Sequence, residues 1–174
     1  MKKPDLNTVP EWYRGYIQAV PELDLLDTLT VADQTFREVI MQLSEDQLEV
    51  RYEAGKWSIK DIILHLSDAE RVFAYRALRI ARGDQTIMHG YDHNQYVISA
   101  NADQRIGTNL LSEYKAVRQA TVALFESFVP EELSRTGMVD QNAFTPNVLG
   151  YVIAGHQLHH TDILKERYLP KINI

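Results

Sequence analysis

Four long segments of this chain carry apolar residues three and four apart, and prolines and capping residues separate them. That spacing lines one face of an α-helix, and almost no two-residue alternation competes with it. The first segment, 22–43, follows Pro21 and presents Leu25, Leu29, Phe36, Val39, Ile40 and Leu43. Ser44-Glu45-Asp46-Gln47 then reads as a capping box opening one short turn. The second segment, 59–82, has Ser58 as its N-cap, Asp61 near the positive end of the helix dipole and Gly83 as its stop. The third, 110–129, is capped by Thr108 or Asn109 and ended by Pro130. The fourth opens at Thr145-Pro146, a cap followed by proline in the first helical position, and runs to Tyr168. Four amphipathic helices must bury their stripes against one another, so the expected fold is all-α, a four-helix bundle.

Length and composition narrow the setting. The 174 residues suit a single domain over 1–174, with 1–20 as an N-terminal extension and only the first few residues reading as disordered. No cysteine is present, which excludes disulfides, thiolate metal sites and a cysteine nucleophile. A net charge of −6 without a basic cluster argues against a nucleic-acid partner. Met1-Lys2-Lys3-Pro4-Asp5 has no apolar run behind it, so no signal peptide is expected. No stretch approaches the roughly 20 apolar residues that span a bilayer. A cytoplasmic protein with no membrane partner is the resulting expectation.

Histidines carry the chemistry. His156 and His160 are four apart on the fourth segment and share a face with Leu149, Val152, Ile153 and Ile163. His65 stands in the stripe of the second segment, among Ile62, Leu66, Ala69 and Phe73. Burying imidazoles among apolar side chains is costly unless their nitrogens find partners. One divalent ion would satisfy all three and leave a coordination position open. The plainer reading makes each ring an ordinary hydrogen-bonded core histidine.

Other residues are candidates for the surroundings of such a site. His159 falls at the edge of the stripe, as a supporting or surface group. His89 and His93 are also four apart, but Gly90 between them weakens helix, so they read as a loop that lines the site or is simply solvated. Trp57 anchors its loop into the core or sits at the pocket rim. Asp92 either accepts a hydrogen bond from a ligating histidine or caps a short helix from Asn94. Arg118 reads as a solvated surface residue, with a substrate clamp as the alternative.

Three tracts resemble a known family. Gly55-Lys56-Trp57-Ser58 through His65-Leu66-Ser67-Asp68-Ala69-Glu70 resembles the second-helix signature of the DinB-like superfamily. Gly155-His156-Gln157-Leu158-His159-His160 resembles its fourth-helix signature, and Gly90-Tyr91-Asp92-His93-Asn94-Gln95-Tyr96 the segment between its second and third helices. The likeness spans 23–169. It implies a bundle in up-down-down-up order with one long crossover. It also implies one divalent metal, nickel or zinc, on His65, His156 and His160, and often a homodimer. Members of known activity conjugate a low-molecular-weight thiol to an electrophile or use it for isomerisation, and others are labelled metal-dependent hydrolases.

The sequence therefore leads to a metal-dependent enzyme that activates a small thiol or water toward a small electrophilic substrate, as an S-transferase or a hydrolase. Its rivals are a non-catalytic metal-binding stress-response module, which a fourth ligand from His89 or His93 would favour, and a helical interaction protein with core histidines. Three imidazoles accept nickel, zinc, copper or iron, so the sequence does not choose the metal.

Overall fold

The computed structural model describes residues 1–172. Among these residues eight α-helices follow in chain order: α1 (Arg14–Ala19), α2 (Leu25–Ile40), α3 (Glu45–Leu48), α4 (Ile59–Ala81), α5 (His93–Ala100), α6 (Gly107–Glu126), α7 (Pro130–Ser134) and α8 (Pro146–Ile163). A two-stranded antiparallel hairpin, β1 (Gly137–Val139) and β2 (Asn142–Phe144), precedes α8, with Gly137 opposite Phe144. The four long helices α2, α4, α6 and α8 form the bundle: α2 and α4 each pack against both α6 and α8. No described helix is long and apolar enough to cross a membrane.

The starts of the two site-bearing helices follow from their caps. Ser58 Oγ accepts the Asp61 amide at 3.1 Å, and the Asp61 carboxylate accepts the Ser58 amide at 2.9 Å. This reciprocal box satisfies two otherwise unpaired donors. Thr145 Oγ1 accepts from the Val148 amide at 3.2 Å, with Pro146 in the first turn. Helix α8 is apolar nearly all round because α1, α2 and α4 all pack on it. Gly155 permits the closest of these contacts, since a Cβ there would collide with the Tyr16 carbonyl of α1.

The segment before Pro21 is ordered. The Tyr151 hydroxyl lies 2.8 Å from the carbonyls of both Met1 and Leu23 and has one proton to donate to either, which ties the N-terminal segment to α8. The six residues of α1 are too few to show a helical period, so the sequence pattern did not reveal them. Helix α6 also departs from expectation. It starts at Gly107, and neither Thr108 nor Asn109 caps it. The Glu45 carboxylate instead reaches across from α3 to accept the Gly107 amide at 3.0 and 3.1 Å. A local cap was expected and a tertiary one is used.

Arg118 is neither solvated nor a clamp. It is 5% exposed in the bundle core, where Nε and Nη2 pair with the two Glu70 oxygens at 2.9 and 2.7 Å. Nη1 donates to the Leu29 carbonyl at 2.8 Å, and Nη2 also meets Gln157 Oε1. Gln157 continues to the Ala32 carbonyl and the Tyr114 hydroxyl, which donates to Asp33 at 3.0 Å. One guanidinium thus joins all four long helices. By holding Gln157, it fixes the rotation of α8 one residue from His156.

Candidate metal centre

Helix α4 supplies His65, and α8 supplies His156 and His160. The His156 Nε2 atom lies 3.1 Å from the Nε2 of His65 and 3.1 Å from that of His160. The three residues are 6, 8 and 9% exposed. Among the described residues they form the one group of three or more such donors close enough to share an ion. The i, i+4 spacing on α8 sets two of the rings, and the α4–α8 packing brings up the third.

Burial, and then the neighbouring imidazoles, push all three rings toward the neutral form. His65 is lowered to about 4, first by burial and then by His93. His156 and His160 fall well below the ordinary value, first by burial and then by the rings around them. A neutral imidazole nitrogen either donates one hydrogen bond or accepts one. His156 Nε2 faces two nitrogens at the same distance, so hydrogen bonding satisfies only one of its contacts. A shared cation satisfies all three lone pairs together. An ion about 2.05 Å from two imidazole nitrogens at a tetrahedral angle sets them about 3.3 Å apart. The observed spacing matches that, so the donor set fits a divalent metal. His160 Nδ1 is buried without a partner, so no second hydrogen bond orients that ring.

The cluster forms one wall of a cavity of about 340 Å³. Trp57 packs its indole 4.7 Å from the His65 ring and stacks on His160 at 6.2 Å and 18°. It is therefore part of the site wall. His93, the first residue of α5, lies 5.9 Å ring to ring from His65 and stays outside the cluster. His159 is exposed, lines the same cavity and leans on Tyr16 at 5.4 Å. His89 is 89% exposed and faces Asp140. Asp92 makes no hydrogen bond to a histidine. Its carboxylate caps α5 through the amides of Asn94 and Gln95 at 2.9 and 3.1 Å. Neither His89 nor His93 closes the site as a fourth ligand.

Several wall residues escaped the sequence reading. Tyr16 meets the His156 ring edge-on at 5.4 Å, but it comes from the unassigned α1. Tyr91 is pushed up to about 12, by burial first, and so presents a neutral phenol. Arg76 also lines the cavity. The signal for it was present: His65, Ala69, Phe73 and Arg76 follow one another at helical spacing on one face of α4.

The family model of the DinB superfamily matches residues 28–164. The chain belongs to the DinB superfamily. No curated protein matches it significantly. Among solved structures, one similar fold is YfiT from Bacillus subtilis, described as a probable metal-dependent hydrolase with an unusual four-helix bundle topology. It has a TM-score of 0.76 and 14% identity over 86% of each chain. Another is a DinB-like protein from the same organism, YjoA, with a TM-score of 0.63 and 18% identity over 87% of this chain and 93% of that one. At these identities the likeness establishes the fold. The histidine cluster of this DinB-superfamily member rests on its own geometry.

Proposed function

We propose that this protein is a metal-dependent enzyme in which His65, His156 and His160 hold one divalent cation, nickel or zinc. It acts on a small electrophilic substrate held in the adjoining cavity, with water or a low-molecular-weight thiol as the nucleophile. The observation that carries this reading is the meeting of three neutral imidazoles, with the Nε2 atoms of His65 and His160 each 3.1 Å from that of His156, on the wall of an accessible cavity, with no fourth protein ligand among the described residues. A structural metal would be enclosed by four protein groups, whereas three ligands and an open position mark catalytic sites.

When bound, the cation supplies Lewis acidity, which acidifies a nucleophile and draws charge from an electrophile. Three neutral imidazoles leave its charge undiminished. Trp57 covers one side of the cluster and excludes water there. Tyr16 and Tyr91 line the space with phenols held in their protonated form. The hydrolase description of YfiT supports water as nucleophile. The absence of cysteine requires any thiol to come from outside the chain. A homodimer in the cytoplasm is the setting proposed, on the family resemblance and the sequence.

The open position is tested with cobalt-substituted protein titrated with azide and, separately, with a small thiol. Each is expected to change the visible spectrum, and an unchanged spectrum with both would show a closed site and overturn the enzymatic reading. Turnover of ester and amide panels against thiol conjugation, with His156→Ala as the blank, then separates the two nucleophiles.

A further inference from the structure

Among the described residues, the buried carboxylates, lysine and arginines other than Arg76 each have an ionic partner. Lys60 meets Glu45 and Glu49 at 2.6 and 2.9 Å, Asp61 meets Arg51 at 2.9 Å, and Arg118 meets Glu70 at 2.7 Å. Arg76 is 4% exposed and differs from all of them. Its one hydrogen bond runs from Nη2 to the His89 carbonyl at 2.8 Å, and no described carboxylate lies within ion-pair distance. Asp140, on the same cavity wall, spends its carboxylate on the Gly90 amide at 3.0 Å and faces His89. The guanidinium sits between the rings of Phe73 and Tyr91, 5.9 and 5.8 Å from their centroids. Nε and Nη1 have no partner among the described residues, and neither is fully sealed from the cavity.

An unpaired charge held out of bulk water is costly, and aromatic faces offset only part of that cost. An anion in the cavity would complete the pairing. Arg76 borders the same cavity as the histidine cluster, with Phe73 between them and the Phe73 ring 6.3 Å from that of His156. We infer that Arg76 is a specificity-determining residue that pairs with a carboxylate or phosphate group of the substrate, holding its other end toward the three histidines. This rests on the enzymatic reading above and narrows it: the substrate is a small molecule with an oxyanion at one end and its electrophilic centre at the other. A largely buried guanidinium with free N–H groups on the cavity wall suits such a group better than a neutral amide.

The test uses the full chain stripped of metal, so that no cation competes for the anion. Trp12 and Trp57 both line the cavity, and their fluorescence reports binding. Phenylacetate, phenylphosphonate and neutral phenylacetamide are titrated into wild type, Arg76→Gln and Arg76→Lys, with melting temperatures measured alongside. Wild type should bind at least one anion about ten-fold more tightly than the amide. The better anion distinguishes a carboxylate source from a phosphate one. That preference should vanish in Arg76→Gln and survive in part in Arg76→Lys, even where both melt near wild type. If Arg76→Gln does not fold, Arg76→Lys alone must still weaken the preference about three-fold, since it loses the planar fork. Equal affinities in wild type, no binding of either anion, or a preference untouched by the substitutions would overturn the assignment. A purely structural clamp on the His89 carbonyl would lower the melting temperature and leave the preference unchanged. The outcome is independent of metal content, so failure here and failure of the metal reading are distinguishable.

Discussion

Zinc added to the metal-free protein at pH 6.0 should displace almost no protons. An ordinary histidine titrates near 6.5, so three solvated imidazoles at pH 6.0 would each be about three-quarters protonated and together release about 2.3 protons on binding. In the folded chain His65 is held at about 4, first by burial and then by His93, which leaves about 1% of it protonated at pH 6.0. His156 and His160 lie well below the ordinary value for the same first cause. The expected release is therefore well under one proton per ion. Isothermal titration in buffers of different ionisation enthalpy gives the number directly, as the slope of apparent heat against buffer enthalpy. A slope near two protons would show that the rings are charged before the metal arrives, and would refute the picture of a dry, neutral, preformed site.

The same shifts set the stability of the metal-free protein. The folded site resists protons that the unfolded chain accepts, so stability should fall as pH drops below 6.5, with the His65 contribution complete near pH 4 and amounting to about 3 kcal/mol; denaturant melts with and without His65→Ala measure it. In the core, Glu70→Gln leaves Arg118 without its counter-ion and should cost about 3–5 kcal/mol, whereas Glu70→Leu with Arg118→Met should cost far less. Urea midpoints test this, and equal losses in both variants would contradict it. Gly155→Ala places a methyl group against the Tyr16 carbonyl and should destabilise by about 1–3 kcal/mol despite alanine's better helix propensity. Hydrogen exchange should locate the loosening in 14–19, and unchanged protection there would refute the close-approach argument.

The bundle was legible because its long helices announce both their faces and their ends: the Ser58 and Thr145 caps fall where the sequence places them. The three histidines were legible because two share a face at fixed spacing and the third interrupts an otherwise apolar stripe. What escaped was short or long-range. The hairpin strands have three residues each, α1 has six, and the Glu45 cap of α6 joins residues 62 apart. Arg118 reads from sequence as a surface residue, and Arg76 does not stand out, because charge is ordinarily solvated. Both nevertheless fall at helical spacing within apolar faces, Arg118 between Tyr114 and Thr121 and Arg76 after Phe73. A charged residue at such a position points to a buried partner, found in Glu70 for Arg118 and sought in the substrate for Arg76.

Metal content decides whether three imidazoles from α4 and α8 hold one cation. Elemental analysis of the purified chain after zinc loading and removal of excess metal should give about one ion per chain in wild type and in His159→Ala, and close to none in His65→Ala, His156→Ala or His160→Ala. An ion retained in all three single variants, or none bound by a folded wild type, would contradict it.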